Sequence, residues 1–143
     1  MKYRALVTAE MINPMLEKFK DQIDFEFDGY CIDHEVMPHK ELIQRIKDYD
    51  ILICEYDTID RDVFENAKNL KLIICCRGGV KSVVDIETAM AKGIIICNNG
   101  GRNANAVSDL TMGYILDLTR NITLTNNLIF NKVITTDVKS KPD

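Results

Sequence analysis

The sequence predicts an α/β fold: an open parallel sheet of five strands with helices on both faces, followed by a long C-terminal helix. Three observations carry this reading. Short apolar runs alternate with segments whose apolar residues recur at helical spacing. The connections between them are short, which demands parallel pairing through right-handed crossovers. The run Ile51-Leu52-Ile53-Cys54 is apolar throughout, the composition of a strand covered on both faces, and Ile94-Ile95-Ile96-Cys97 reads as a fifth strand.

Residues 3–8 read as the first buried strand. Asn13-Pro14 supplies a helix N-cap followed by proline at the first helical position, and Met15, Leu16 and Phe19 give that helix an apolar stripe. A second strand over residues 25–31 alternates weakly and carries Glu26 and Asp28, which places it near a sheet edge. Pro38 opens a helix with Leu42, Ile43 and Ile46 on one face. After the Ile51 strand, Asp60 caps a helix that buries Val63, Phe64 and Ala67. The fourth strand spans residues 70–76 and runs into Arg77-Gly78-Gly79. Residues 85–92 form a short helix stopped by Gly93, and the fifth strand leads into Asn98-Asn99-Gly100-Gly101. This order of units is flavodoxin-like.

The last third differs. A long helix is expected from Asn103 to Arg120, with Val107, Leu110, Thr111, Tyr114, Ile115 and Leu118 as one stripe and Met112 and Leu116 on another side. A helix apolar on two sides asks to be covered on two sides. Residues 122–134 are mixed, and residues 135–143 are polar and read as a disordered tail. The expected division is therefore a sheet domain over 1–102, a helix and extension over 103–134, and the tail.

Composition excludes several classes. The chain of 143 residues has a net charge of −4 and no Lys/Arg cluster, so it carries no footprint for nucleic acid. No apolar run is long enough to suggest a membrane span, and no signal segment follows Met1. The five cysteines, Cys31, Cys54, Cys75, Cys76 and Cys97, form no CxxC pair and lie in or beside strand-like runs. They read as buried reduced thiols of a cytoplasmic protein. Cys75 and Cys76, being adjacent in a strand, point to opposite faces and share no metal. His34 and His39 flank a proline turn at a spacing that matches no standard ligand set, so no metal site is expected.

Ligands of parallel sheets bind beyond the carboxyl ends of the strands. Glu55-Tyr56-Asp57, Arg77-Gly78-Gly79-Val80 and residues 98–103 fall there. The paired glycines permit close approach to backbone amides, and Arg77 adds a charge-assisted contact for a carboxylate. A plain strand-to-helix turn with a surface arginine explains the same residues, and a capping loop explains Asn98 to Asn103. GxGxxG and P-loop signatures are missing. The first strand is followed by Ala9-Glu10-Met11-Ile12, which suits neither a flavin phosphate loop nor the acidic pair of a receiver domain.

One comparison narrows these alternatives. The pieces Leu70-Lys71-Leu72, Arg77-Gly78-Gly79, Val84-Asp85-Ile86-Glu87, Lys92-Gly93-Ile94, Gly101-Arg102-Asn103-Ala104, Ala106-Val107 and Arg120-Asn121, in this order, resemble the D-isomer-specific 2-hydroxyacid dehydrogenases. Gly100 stands where that family's pattern has proline, Ser108-Asp109 replaces alanine-glutamate, and the stretch between Gly79 and Val84 departs in length. The resemblance implies that amides around Gly78, Gly79 and Val80 bind the carboxylate of a small 2-hydroxy or 2-oxo acid, with Arg77 assisting. It implies that Asn103 contacts substrate, and that Gly100, Gly101 and Arg102 belong to an interdomain hinge. It also implies an NAD(H)-dependent oxidoreductase whose dinucleotide domain carries the catalytic residues. No motif of that domain occurs here. The chain is thus expected to be a truncated, substrate-side half, inactive alone, binding no NAD tightly and prone to self-association through residues 103–134. A stand-alone carboxylate-binding or regulatory domain is the alternative.

Overall fold

The computed structural model describes residues 2–11 and 14–131. Five strands form, β1 (Tyr3–Val7), β2 (Ile23–Phe27), β3 (Ile51–Cys54), β4 (Leu72–Cys75) and β5 (Ile95–Asn98). All pair in parallel, in the order β2-β1-β3-β4-β5. That is the flavodoxin-like order. Register sorts the side chains. Ala5 stands opposite both Phe25 and Ile51, Ile51 opposite Leu72, and Leu72 opposite Ile95, so these share one face of the sheet. Leu6, Leu52, Ile73 and Ile96 share the other.

The second of these faces holds the main core. It packs against α2 (His39–Arg45), α3 (Arg61–Asn66) and α4 (Ile86–Ala91), which contribute Leu42, Val63, Phe64 and Ala89. Two of these helices start where a carboxylate satisfies an orphan amide: Asp60 accepts from the Val63 amide at 3.2 Å, and Asp85 from the Thr88 amide at 3.1 Å. Gly93 closes α4 at φ 69, a conformation that favours glycine. The opposite face has a smaller cluster of Ala5, Val7, Ile51, Ile53 and Cys31, the last supplied by α1 (Tyr30–Asp33). Cover thins toward β5, where Ile95 is 63% exposed.

The structure corrects several boundaries. The second strand ends at Phe27 rather than continuing to Cys31. Gly29 breaks it at φ 59, and a Cβ there would lie 3.2 Å from the Met37 Cβ, so the chain turns into α1 instead. The segment after Pro14 is a 3-10 helix, Pro14–Phe19, with no buried residue, rather than an amphipathic α-helix. Asn13, expected to cap it, lies outside the described residues, as does the expected tail 135–143. Cys31, Cys54 and Cys75 are buried, but Cys76 is half-buried and Cys97 exposed, because β5 is an edge strand. Cys75 belongs to the main core while Cys76 packs on the other cluster, as strand alternation requires.

The chain forms two compact units, Met1–Gly101 and Arg102–Asp143. In the second, α5 (Ala104–Arg120) is followed by α6 (Ile122–Phe130), with Asn121 between them at φ 55. Residues 122–134, read as mixed, thus open with a helix. Neither helix has a buried residue, and both stripes foreseen for α5, from Val107 to Leu118 and at Met112 and Leu116, are exposed.

Candidate functional site

In an open parallel sheet the ligand crevice lies where strand order reverses, which here is between β1 and β3. That position is filled. Thr8 and Asp57 are both buried there, with Thr8 Oγ1 2.6 Å from Asp57 Oδ2. The Thr8 and Ala9 amides both donate to the Ile53 carbonyl, at 2.8 and 3.2 Å. The outward-facing polar groups sit one strand further along, beyond β3 and β4.

Those strands end in register at Cys54 and Cys75, whose thiols share a hydrogen bond. The bond from Cys54, with help from the Arg77 amide and guanidinium, brings the Cys75 thiol down to about 6. The same bond, together with burial, pushes Cys54 up. Past Cys54 the chain exposes Tyr56. Its ring lies 4.6 Å from that of Tyr30, which in turn meets His34 at 5.5 Å. The Glu55 carboxylate beside it holds the Tyr56 hydroxyl above its usual range. Past Cys75, the Arg77 guanidinium lies over the Tyr56 ring at 5.4 Å. Arg4, Arg45 and Arg61 all pair with carboxylates, whereas Arg77 has no carboxylate partner among the described residues.

Gly78 and Gly79 follow, both exposed. Neither has the positive φ that favours glycine, and a Cβ on either would meet nothing within 4 Å. Bare backbone therefore faces open space at this bend. Asn98 at the end of β5 donates from Nδ2 to the Gly78 carbonyl at 2.8 Å. The loop is anchored further on. The Val80 carbonyl accepts from the Val83 and Val84 amides at 3.0 and 2.9 Å. Ile59 then bridges to Val84, donating to the Val83 carbonyl at 2.7 Å.

Of the residues singled out from sequence, Arg77, Gly78, Gly79 and Val80 share this one loop. Gly100 lies on the neighbouring loop, where its Cβ position is 3.7 Å from Asn98 Nδ2, and Gly101 has φ 79. Arg102 and Asn103 fall in the second unit, where Asn103 precedes α5 without a side-chain cap. Sequence reading missed the Tyr30–Tyr56–Arg77 stack and the Asn98 strap. Tyr56, Arg77 and Asn98 were visible as loop residues and Tyr30 was read as part of the second strand, but nothing in their spacing pairs them. Of the two histidines, His39 stands 3.1 Å from Asp60, and His34 is exposed at φ 62. No group of metal-ligating side chains assembles among the described residues.

Comparison with known proteins decides the family. Residues 5–139 match the D-isomer specific 2-hydroxyacid dehydrogenase family, catalytic domain. The chain belongs to this family. D-3-phosphoglycerate dehydrogenase of Methanocaldococcus jannaschii is 42% identical over 84 residues, covering 58% of this chain and 16% of that protein. Glyoxylate reductase of Pyrococcus horikoshii is 28% identical over 123 residues, covering 85% of this chain and 36% of its own length. A solved structure from Pyrococcus horikoshii superposes with a TM-score of 0.74 at 30% identity, over 92% of this chain and 38% of the other. The chain thus spans well under half the length of these relatives. No helix among its described residues is long and apolar enough to cross a membrane.

Proposed function

We propose that this domain is the substrate-holding half of an oxidoreductase that interconverts a D-2-hydroxy acid and the matching 2-oxo acid with NAD(H). The observation that carries the reading is Arg77, an arginine without a carboxylate partner among the described residues, followed by the exposed backbone of Gly78 and Gly79 at the carboxyl end of β4. A guanidinium takes a carboxylate through a two-pronged pair of hydrogen bonds, and bare amides beside it suit the same anion. Val80 anchors the loop, and Asn103, which matches a substrate-contacting asparagine of the family, is a further candidate contact. Gly100, Gly101 and Arg102 form the hinge, the few positions that absorb backbone rotation when such a cleft closes.

The residues present do not fit NAD itself. Glycine is missing from the turn after β1, and the 3-10 helix that follows is too short to offer pyrophosphate a helix terminus. The hydride chemistry therefore belongs to a second, dinucleotide-binding domain, and this chain alone is expected to turn over no NADH with any 2-oxo acid. The exposed apolar residues of α5 and α6 support packing on that domain or on a second copy of the chain. Free cysteines support a reducing, cytoplasmic setting.

The test is titration of the isotope-labelled chain with pyruvate, following backbone amides. Saturable shifts at Gly78, Gly79 and Val80, abolished by Arg77→Ala, are expected. Shifts confined to other surfaces, or none, would overturn the reading.

A further inference from the structure

We propose that Tyr56 is a positioning residue that holds Arg77 ready for a carboxylate ligand, without occupying the donors the ligand needs. The inference rests on the reading of Arg77 given above and names how that side chain is prepared.

Arginine carries several flexible bonds, and an unrestrained one at the mouth of a loop would lose rotamer freedom on every binding event. A carboxylate neighbour is the common restraint, as at Arg4, Arg45 and Arg61. It occupies the same N–H edges that a ligand carboxylate requires, so a ligand would have to displace it. An aromatic ring offers a different restraint. It attracts the cation through the ring face and consumes no N–H donor. The Arg77–Tyr56 distance of 5.4 Å falls within the range for such a contact.

The ring is itself held. Tyr30 packs against it at 4.6 Å. Tyr30 is aimed from α1, which starts where Gly29 turns the chain at φ 59. Glu55 neighbours Tyr56 in sequence yet forms no ion pair with Arg77. An arginine resting on an aromatic face keeps its fork for an incoming anion. Lysine could not replace it, since an ammonium has no planar edge distinct from the group that meets the ring.

The experiment uses Tyr56→Leu, Tyr56→Phe and Arg77→Ala in the 143-residue chain, with pyruvate as probe. Two quantities are read by NMR: the ring-current displacement of the Arg77 side-chain signals and the pyruvate dissociation constant. Tyr56→Leu is expected to abolish the displacement and weaken pyruvate roughly two- to five-fold, the size of an exposed cation–π contact. Tyr56→Phe keeps the ring and should restore both. Tyr56 is exposed, so these variants disturb no core. If Arg77→Ala weakens pyruvate while Tyr56→Leu changes neither quantity, the positioning role is overturned and the carboxylate site stands. Equal loss in Tyr56→Phe and Tyr56→Leu would also overturn it, because the hydroxyl and not the ring would then be at work. Unchanged affinity in Arg77→Ala, or no binding by the parent chain, overturns both readings.

Discussion

Ionisation at the Cys54–Cys75 pair illustrates how single groups are set by their immediate partners. Both thiols face the main core, yet they are not equivalent. The Cys75 sulfur accepts from Cys54 and from the Arg77 amide, and the Arg77 charge adds to this, so its anion is favoured. Lowering a thiol pKa means that the thiolate persists down to lower pH. The ultraviolet thiolate signal of the folded protein should therefore appear as pH rises through about 6. Cys54→Ala removes the principal donor and should move that step upward toward the ordinary thiol range. A titration that is the same in both proteins would show that Cys54 does not set it. None of this was legible from five cysteines without a motif. Strand register brings the two together, and register emerges only from the assembled sheet.

Among the elements, β3 shows why parts of the fold were easy to read. Each of its four residues is buried, and a run apolar at every position has few other homes. Leu52 lies in the main core with no exposure. Leu52→Ala is expected to cost roughly 2–5 kcal/mol of unfolding free energy by urea titration, the loss of buried methyl groups plus a residual cavity. A loss under about 1 kcal/mol would mean that the layer collapses around the gap. The helices α3 and α4 were equally legible because Asp60 and Asp85 mark their starts in the sequence itself. The second strand was misread at its end for a physical reason. Residues 25–31 keep a weak alternation straight through Gly29, and only the closeness of Met37 shows that the backbone must turn there. The site divides in the same way. Arg77, Gly78, Gly79 and Val80 are consecutive and could be proposed from sequence, whereas the Tyr56 ring reaches Arg77 from 21 residues before it and Asn98 reaches Gly78 from 20 residues after it.

For the whole molecule, the decisive contrast lies between its two units. Sheet and helices of Met1–Gly101 enclose a core, while α5 and α6 leave Leu110, Tyr114, Leu118 and Phe130 in water. An apolar surface of that extent favours association. Sedimentation of the purified chain should show a mass that rises with concentration, and Leu118→Glu with Tyr114→Glu should return it to monomer. A concentration-independent monomer in the unsubstituted protein would refute this. The two borders of the sheet differ as well. Along β2, Lys2 pairs with Asp24, and Arg4 and Arg45 pair with Glu26, so a charged fringe guards the outermost backbone on that side. At the other border, Ile95-Ile96-Cys97 offers neither lysine nor proline, and Ile95 is largely bare. Unsatisfied amides and carbonyls in such a row act as a template for a sixth strand. Aggregation of this protein on storage would then be directional, growing outward from β5 by strand addition while β2 stays sealed.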